Sequence, residues 1–258
     1  MTTTVYAAIV WQGEDMASVR SQISWLPVAE ALDHAARSGQ AGRSLRVLDL
    51  GGGAGVDAVR VAQRHHAVTV VDQNSDALAA LHLRAREAAV DIAGIQGDGE
   101  SLDPEMFDDA FDLALCHGVL ETSPQPSDVF AALARVLRPG GVVSIQVPGL
   151  LAAVKHAVAL GDVAHAAELT TASLDDWNVD ALGPRRYLWD DLSPLLSAAG
   201  FTVIAIRGVR VFGDSTPTEI SQDDAQRFEA LLELEERLSS QREFASGSGG
   251  LQAIGRLD

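Results

Sequence analysis

Apolar residues fall along this chain in short blocks of two kinds, and the two kinds alternate. Val47–Leu50, Ala67–Val71, Ile92–Ile95, Phe111–Cys116, Val142–Val147 and Phe201–Arg207 are nearly continuous apolar runs of strand length. Between them, Val56–Gln63, Asp76–Ala89, Pro126–Leu137 and Asp191–Ala199 carry apolar residues at helical spacing. Unbroken apolar strands separated by amphipathic helices predict a parallel sheet covered on both faces. Ligands then sit outside the carboxyl ends of the strands. Arg138-Pro139-Gly140-Gly141 reads as a sharp stop before the fifth strand.

The chain ends differently. Asp223 to about Arg242 reads as an acidic helix with a solvated or partner-facing surface, Ser246-Gly247-Ser248-Gly249-Gly250 as a flexible link, and Leu251–Leu257 as a last strand. An antiparallel pair at the sheet edge is expected there. Two segments lie outside the alternation: residues 1–44, with a helical pattern over Ser18–Ala36, and an insertion at about 150–190. We expect a helical arm (1–44) and a main domain (45–258), with arm and insertion both capping the cleft.

Composition narrows the class. A length of 258 residues suits one α/β domain with additions. No apolar run is long enough to span a bilayer, and the first residues lack the basic start and apolar stretch of a signal peptide, so a cytoplasmic protein is expected. The single cysteine, Cys116, excludes a disulfide framework. No metal site is expected among the seven histidines, since adjacent His65 and His66 cannot share one helix face.

The candidate chemistry begins at Val47-Leu48-Asp49-Leu50-Gly51-Gly52-Gly53-Ala54-Gly55. A chain that leaves a buried strand and enters a helix within a few residues needs positive φ and an open backbone, which glycine supplies. A dinucleotide fingerprint counted from Gly51 and Gly53 would need a small residue where Val56 stands, which weakens an NAD reading. About twenty residues on, Asp72 ends the second strand, where a carboxylate can accept from both ribose hydroxyls. An acid capping the next helix is the competing reading, though Asn74 and Ser75 serve as caps equally well. Gln96-Gly97-Asp98-Gly99-Glu100 follows the third strand.

Asp49-x-Gly51-x-Gly53-x-Gly55 resembles motif I of the class I S-adenosylmethionine (SAM) dependent methyltransferases. The G-D-x-E segment and Leu137-Arg138-Pro139-Gly140-Gly141 are similar to that family's as well. The resemblance implies a Rossmann-like α/β fold, a seven-stranded, mostly parallel sheet with helices on both faces and a helical cap. It also implies SAM as cofactor, released as S-adenosylhomocysteine (SAH). Asp49, Gly51, Gly52, Gly53 and Gly55 would follow the amino-acid part of SAM, and Asp72 the ribose, with Gln73 also in the cofactor site. Asp98 would accept from the adenine amino group, with Gly99 and Glu100 in the same cofactor-binding segment.

A narrower likeness spans most of the chain from about Ser18. Val19-Arg20-Ser21-Gln22-Ile23, Cys116-His117-Gly118-Val119-Leu120-Glu121, Gly208–Asp214 and Phe228–Glu235 resemble segments of the bacterial tRNA 5-carboxymethoxyuridine methyltransferases. In that family a carboxylate on the wobble uridine is esterified. By this likeness Arg20 pairs with the SAM carboxylate, and Cys116 and His117 line the cofactor pocket. A structural histidine at a strand end is the alternative for His117.

In-line methyl transfer to a carboxylate needs no general base, because the group is already ionised near neutral pH. Arg185, Arg186 and Arg210, with Tyr187, are the candidates to position such an anion. A hydroxyl or amine acceptor would need a base, and His117 or Glu121 would be first. The chain departs from the family in having one lysine, Lys155, no lysine-rich tract in the insertion, and Pro148-Gly149 after the fifth strand. A net charge of −17 opposes nucleic acid at long range. Three readings therefore stand: a methyltransferase acting on tRNA, one acting on a small metabolite, and a SAM-binding protein without catalysis. The acidic helix fits a monomer and a homodimer equally.

Overall fold

The computed structural model describes residues 19–38, 43–212 and 225–258. Seven strands form one sheet: β1 (Arg46–Leu50), β2 (Ala67–Asp72), β3 (Ile92–Gln96), β4 (Phe111–His117), β5 (Leu137–Pro148), β6 (Phe201–Val209) and β7 (Gly250–Leu257), in the order β3-β2-β1-β4-β5-β7-β6. β1 to β5 are parallel, and β7 runs antiparallel to both of its neighbours, β5 and β6. The order reverses at β1, which lies between β2 and β4, so the crevice of this fold opens at the carboxyl ends of β1 and β4.

The strands are apolar throughout because successive side chains serve opposite cores. Val47, Leu113 and Val142 pack beneath α1 (Val19–Ser38), α2 (Val56–Ala62) and α3 (Ser75–Glu87). Their neighbours Leu48, Ala114 and Val143 face the other side, under α4 (Pro126–Val136) and, later in the chain, α8 (Trp189–Ala198). The α1 residues Trp25, Val28, Ala31, Leu32 and Ala35 are buried in the first core. This part of the N-terminal helix is therefore a layer of the sandwich, where a cap over the cleft was expected.

The insertion supplies α5 (Leu150–Ala159), α6 (Val163–Thr171) and α7 (Val179–Leu182). It leaves and rejoins the sheet at one place: Leu150 N–H donates to the Tyr187 carbonyl at 2.8 Å, and Tyr187 N–H to the Pro148 carbonyl at 3.0 Å.

Three local expectations are corrected. The Pro-Gly-Gly stop lies within β5, where pairing shifts from Phe111–Leu137 to Leu113–Val142 and Gly140 takes φ +74°. Ser246–Gly250, expected to be flexible, is an ordered turn after α9 (Ala225–Ser239) and α10 (Arg242–Ala245). The hydroxyl of buried Ser248 is shared as a donor between the carbonyls of Ala245 and Gly250, 2.6 and 2.5 Å from Oγ, and a side chain at Gly208 would collide with this turn. Finally, α9 is not wholly solvated, because Glu235 is buried and accepts from the N–H groups of Val211 and Phe212, the latter at 3.1 Å.

Candidate active site

The glycine loop leaves β1 with Gly51, Gly53 and Gly55 at φ +70°, +55° and +73°, a run that L side chains rarely adopt. Two of these positions are also closed to a side chain by packing. A Cβ on Gly51 would lie 2.4 Å from Val119 Cγ2, and one on Gly55 2.1 Å from Leu81 Cδ1. At Gly53, by contrast, a Cβ would meet only Asp72 Oδ2, at 4.0 Å. The middle of the loop is thus an open cradle beside an acid, with α2 starting directly behind it from Gly55. The Arg84 guanidinium of α3 donates to the Ala54 carbonyl and anchors the loop from behind.

Asp72 joins the first two sequence landmarks. Its Oδ2 accepts from Gly53 N–H at 2.9 Å and its Oδ1 from Asn74 N–H at 2.8 Å. The cap of α3 is Asn74, which accepts from Asp76 and Ala77, so Asp72 is not the helix cap. Each carboxylate oxygen retains acceptor capacity for a hydroxyl pair. Gln73 is exposed next to it.

Asp49 lies under the loop, only 6 % exposed. A Cβ on Gly52 would meet its Oδ2 at 2.4 Å, so the second glycine makes room for this carboxyl. Burial, followed by the negative charges of Asp57 and Asp72, pushes its pKa up to about 7. Asp98 is exposed and accepts from Glu100 N–H at 3.1 Å, opening a short turn, Gly99–Ser101. Gly99 is buried against Leu50. Glu100 turns towards the segment after β4, where its Oε1 accepts from Ser123 Oγ at 2.6 Å and Gln125 N–H at 3.3 Å. This contact ties two loops together through one carboxylate oxygen.

The segment after β4 forms the second wall. Cys116 is completely buried, and burial pushes its thiol far above the ordinary range, so it belongs to the core and not to the pocket lining. His117 is partly exposed at the strand end, with Nε2 2.8 Å from Ser144 Oγ. Burial lowers its pKa to about 4. Glu121 follows one turn on. Its Oε2 is sealed from solvent without a hydrogen-bond partner. Burial raises this carboxyl above the usual range, against the pull of its own backbone N–H and of Arg186.

Of the three arginines and the tyrosine expected to position an acceptor, the structure divides the set. Arg185 is 5 % exposed and donates to the carbonyls of Ser123 (2.8 Å), Leu120 (3.3 Å) and Leu174 (3.4 Å), while its N–H donates to the Glu121 carbonyl at 2.8 Å. Tyr187 is buried and its hydroxyl donates to the Leu120 carbonyl at 3.1 Å. Both staple the insertion to the β4–α4 segment, which removes them from direct contact with an acceptor. Arg186, between them, is only partly buried and faces Glu121. Arg210 is exposed at the end of β6, with its guanidinium 3.3 Å from where a Cβ on Gly249 would stand. The side chain of Arg20 lies outside the described residues, as does Asp214.

Sequence reasoning missed Val119 above Gly51, and the buried pair Ser144 and Gln252 behind His117. A lone serine inside the apolar run Val142–Val147 was the available signal for Ser144. No group of histidines, cysteines or acids among the described residues has the arrangement of a metal site. No helix among them is long and apolar enough to cross a membrane.

Residues 48–145, the glycine loop through β5, match the family described as "Methyltransferase domain". A tRNA 5-carboxymethoxyuridine methyltransferase of Escherichia coli (strain K12) is 32% identical over 215 residues, 78% of this chain and 76% of the relative. The chain belongs to the SAM-dependent methyltransferases. A ubiquinone biosynthesis O-methyltransferase of Pseudomonas entomophila (strain L48) is 39% identical over 98 residues, 38% of this chain and 42% of that protein. Among solved structures, the cyclase SpnF superposes with a TM-score of 0.57 at 23% identity, covering 96% of this chain and 85% of the other. That similarity speaks for the methyltransferase's fold alone, since a cyclase and a methyltransferase share it.

Proposed function

We propose that this methyltransferase binds SAM along the Gly51–Gly55 loop, with Asp72 accepting from the ribose and Asp98 from the adenine. The methyl passes to a carboxylate on a modified tRNA base, the acceptor class named by its E. coli relative. One observation carries the choice of acceptor. Likeness to the tRNA enzyme extends over 215 residues, well past the 98-residue methyltransferase domain and into the half of the chain that holds the insertion. The ubiquinone enzyme matches over a span no longer than that domain.

Methyl transfer from a sulfonium to a carboxylate asks the protein for alignment more than for proton chemistry. Arg186 is placed to orient the anion, and the insertion, pinned by Arg185 and Tyr187, covers the cleft as its cap. A small-metabolite acceptor is the second reading, favoured by the net charge of −17 and the single lysine.

Methyl-labelled SAM incubated with the protein and a cell extract, with and without RNase pretreatment, separates the two. Label in RNA that disappears after RNase supports the proposal; label in RNase-resistant small molecules refutes it. Arg186→Ala should lose transfer while keeping SAH affinity, and full transfer by that variant would end its assignment as the clamp.

A further inference from the structure

A chain of buried hydrogen bonds runs from α1 through the sheet to the edge of the cleft. Gln252 of β7 is 2 % exposed, and its Nε2 lies 2.9 Å from the Pro27 carbonyl and 2.8 Å from Ser144 Oγ. A carbonyl only accepts, so the group facing Pro27 must be the amide NH2, which fixes the orientation of the carboxamide. Its second hydrogen goes to Ser144 Oγ. Ser144 is completely buried, and the hydroxyl hydrogen that remains has one described acceptor within reach, His117 Nε2 at 2.8 Å. A buried hydroxyl left without an acceptor costs about 1–3 kcal/mol. Nε2 is therefore the accepting nitrogen, and the single proton of the neutral ring sits on Nδ1.

The ring stands at the carboxyl end of β4, beside exposed Gly118 and at the switch point of the sheet. His117 is partly exposed, and its described hydrogen bond engages Nε2 and leaves Nδ1 available. Protonating Nε2 as well would set N–H against O–H and leave Ser144 without an acceptor.

We propose that Gln252 and Ser144 lock His117 as a neutral Nδ1–H donor, which holds an acceptor oxygen that is already anionic and which does not act as a general base. The inference rests on the carboxylate reading given above and narrows it. The face of His117 that can meet a ligand already carries a proton, so it has nothing to take from a hydroxyl or amine. Such an acceptor would have to pass its proton to Glu121, whereas a carboxylate needs only the donors Arg186 and His117. Ser144 and Gln252 are positioning residues, acting through the imidazole.

The tautomer is read directly from long-range proton–nitrogen spectra of the full chain labelled with 15N-histidine at neutral pH. The His117 signals are those absent from His117→Gln, or, if that variant does not fold, those displaced in Ser144→Ala. We expect Nδ1 in the protonated range and Nε2 in the unprotonated range, with Ser144→Ala moving the population towards Nε2–H. An Nε2–H tautomer in the unmutated protein overturns the proposal.

Glu121→Gln, assayed with labelled SAM and RNA from cells, tests the reading beneath it. Transfer within a few-fold of the unmutated protein supports a carboxylate acceptor. Loss of transfer with SAH affinity retained overturns the carboxylate while leaving the tautomer standing, so the two failures are distinguishable.

Discussion

Asp49 makes the stability of this protein depend on pH in the direction opposite to most carboxylates. Its pKa is about 7 in the folded chain, against an ordinary value of 3.8, because the carboxyl is buried under the glycine loop near Asp57 and Asp72. Between those two pH values the folded state holds a proton that the unfolded chain has released. The group's contribution is therefore fully present below pH 3.8, falls as pH rises through 7, and is constant beyond. At about 1.36 kcal/mol per pH unit, the difference amounts to about 4 kcal/mol, of which about 2 is lost between pH 5 and pH 7. Asp49→Asn keeps the shape and removes the titration. Urea unfolding of both proteins at a series of pH values should show the stability difference moving by about 2 kcal/mol in the variant's favour from pH 5 to pH 7. Other titrating groups are common to both proteins and cancel in the difference. Parallel stability curves would falsify the reasoning and show that the carboxyl is effectively solvated.

Asp112, at the opposite end of the sheet, has the other sign. Burial alone would raise its pKa, but the Arg46 N–H and the guanidinium groups of Arg138 and Arg43 outweigh it and hold the carboxyl below its ordinary value. Its stabilisation is present above the unfolded pKa and lost as pH falls through the folded one, so Asp112→Asn should flatten the acid limb of a stability profile; an unchanged limb would contradict this. Asp72→Ala should weaken SAH binding by about 1–3 kcal/mol, roughly 5- to 150-fold in Kd. Calorimetric titration checks it, and unchanged affinity would reassign Asp72 to holding Gly53 and Asn74 alone. Arg185→Ala strands the buried carbonyl of Ser123, while that of Leu120 keeps the Tyr187 hydroxyl, and should cost about 1–3 kcal/mol in urea unfolding; a change within about 0.5 kcal/mol would show that the insertion is not held by this side chain.

What could be read from the sequence was whatever depends on neighbours in sequence. The glycine loop, the acids ending β1 and β2, and the alternation of strands and helices each need only a few adjacent residues to declare themselves. Arg185 and Arg186 are chemically identical side by side, yet one is a buried staple and the other is partly exposed beside Glu121. That difference is set by carbonyls 62 and 65 residues away. His117 had two readings for the same reason, since its partner Ser144 is 27 residues on. Glycine and serine at 246–250 signal flexibility by composition, but Gly208 and Gly249 allow close approach of backbone and of Arg210, and the segment packs.

The position of β7 has a consequence for how the chain acquires its shape. Among the described residues β6 hydrogen-bonds to β7 and to no other strand of the sheet, and β7 is made more than forty residues later. During synthesis, then, Phe201–Val209 must wait without a partner, offering an apolar run with its backbone groups unpaired. The open edge of β5 waits with it. Elongation from Arg210 to Gly250 is thus the interval in which this protein is most exposed to pairing with a second copy, and slow translation there would lengthen it.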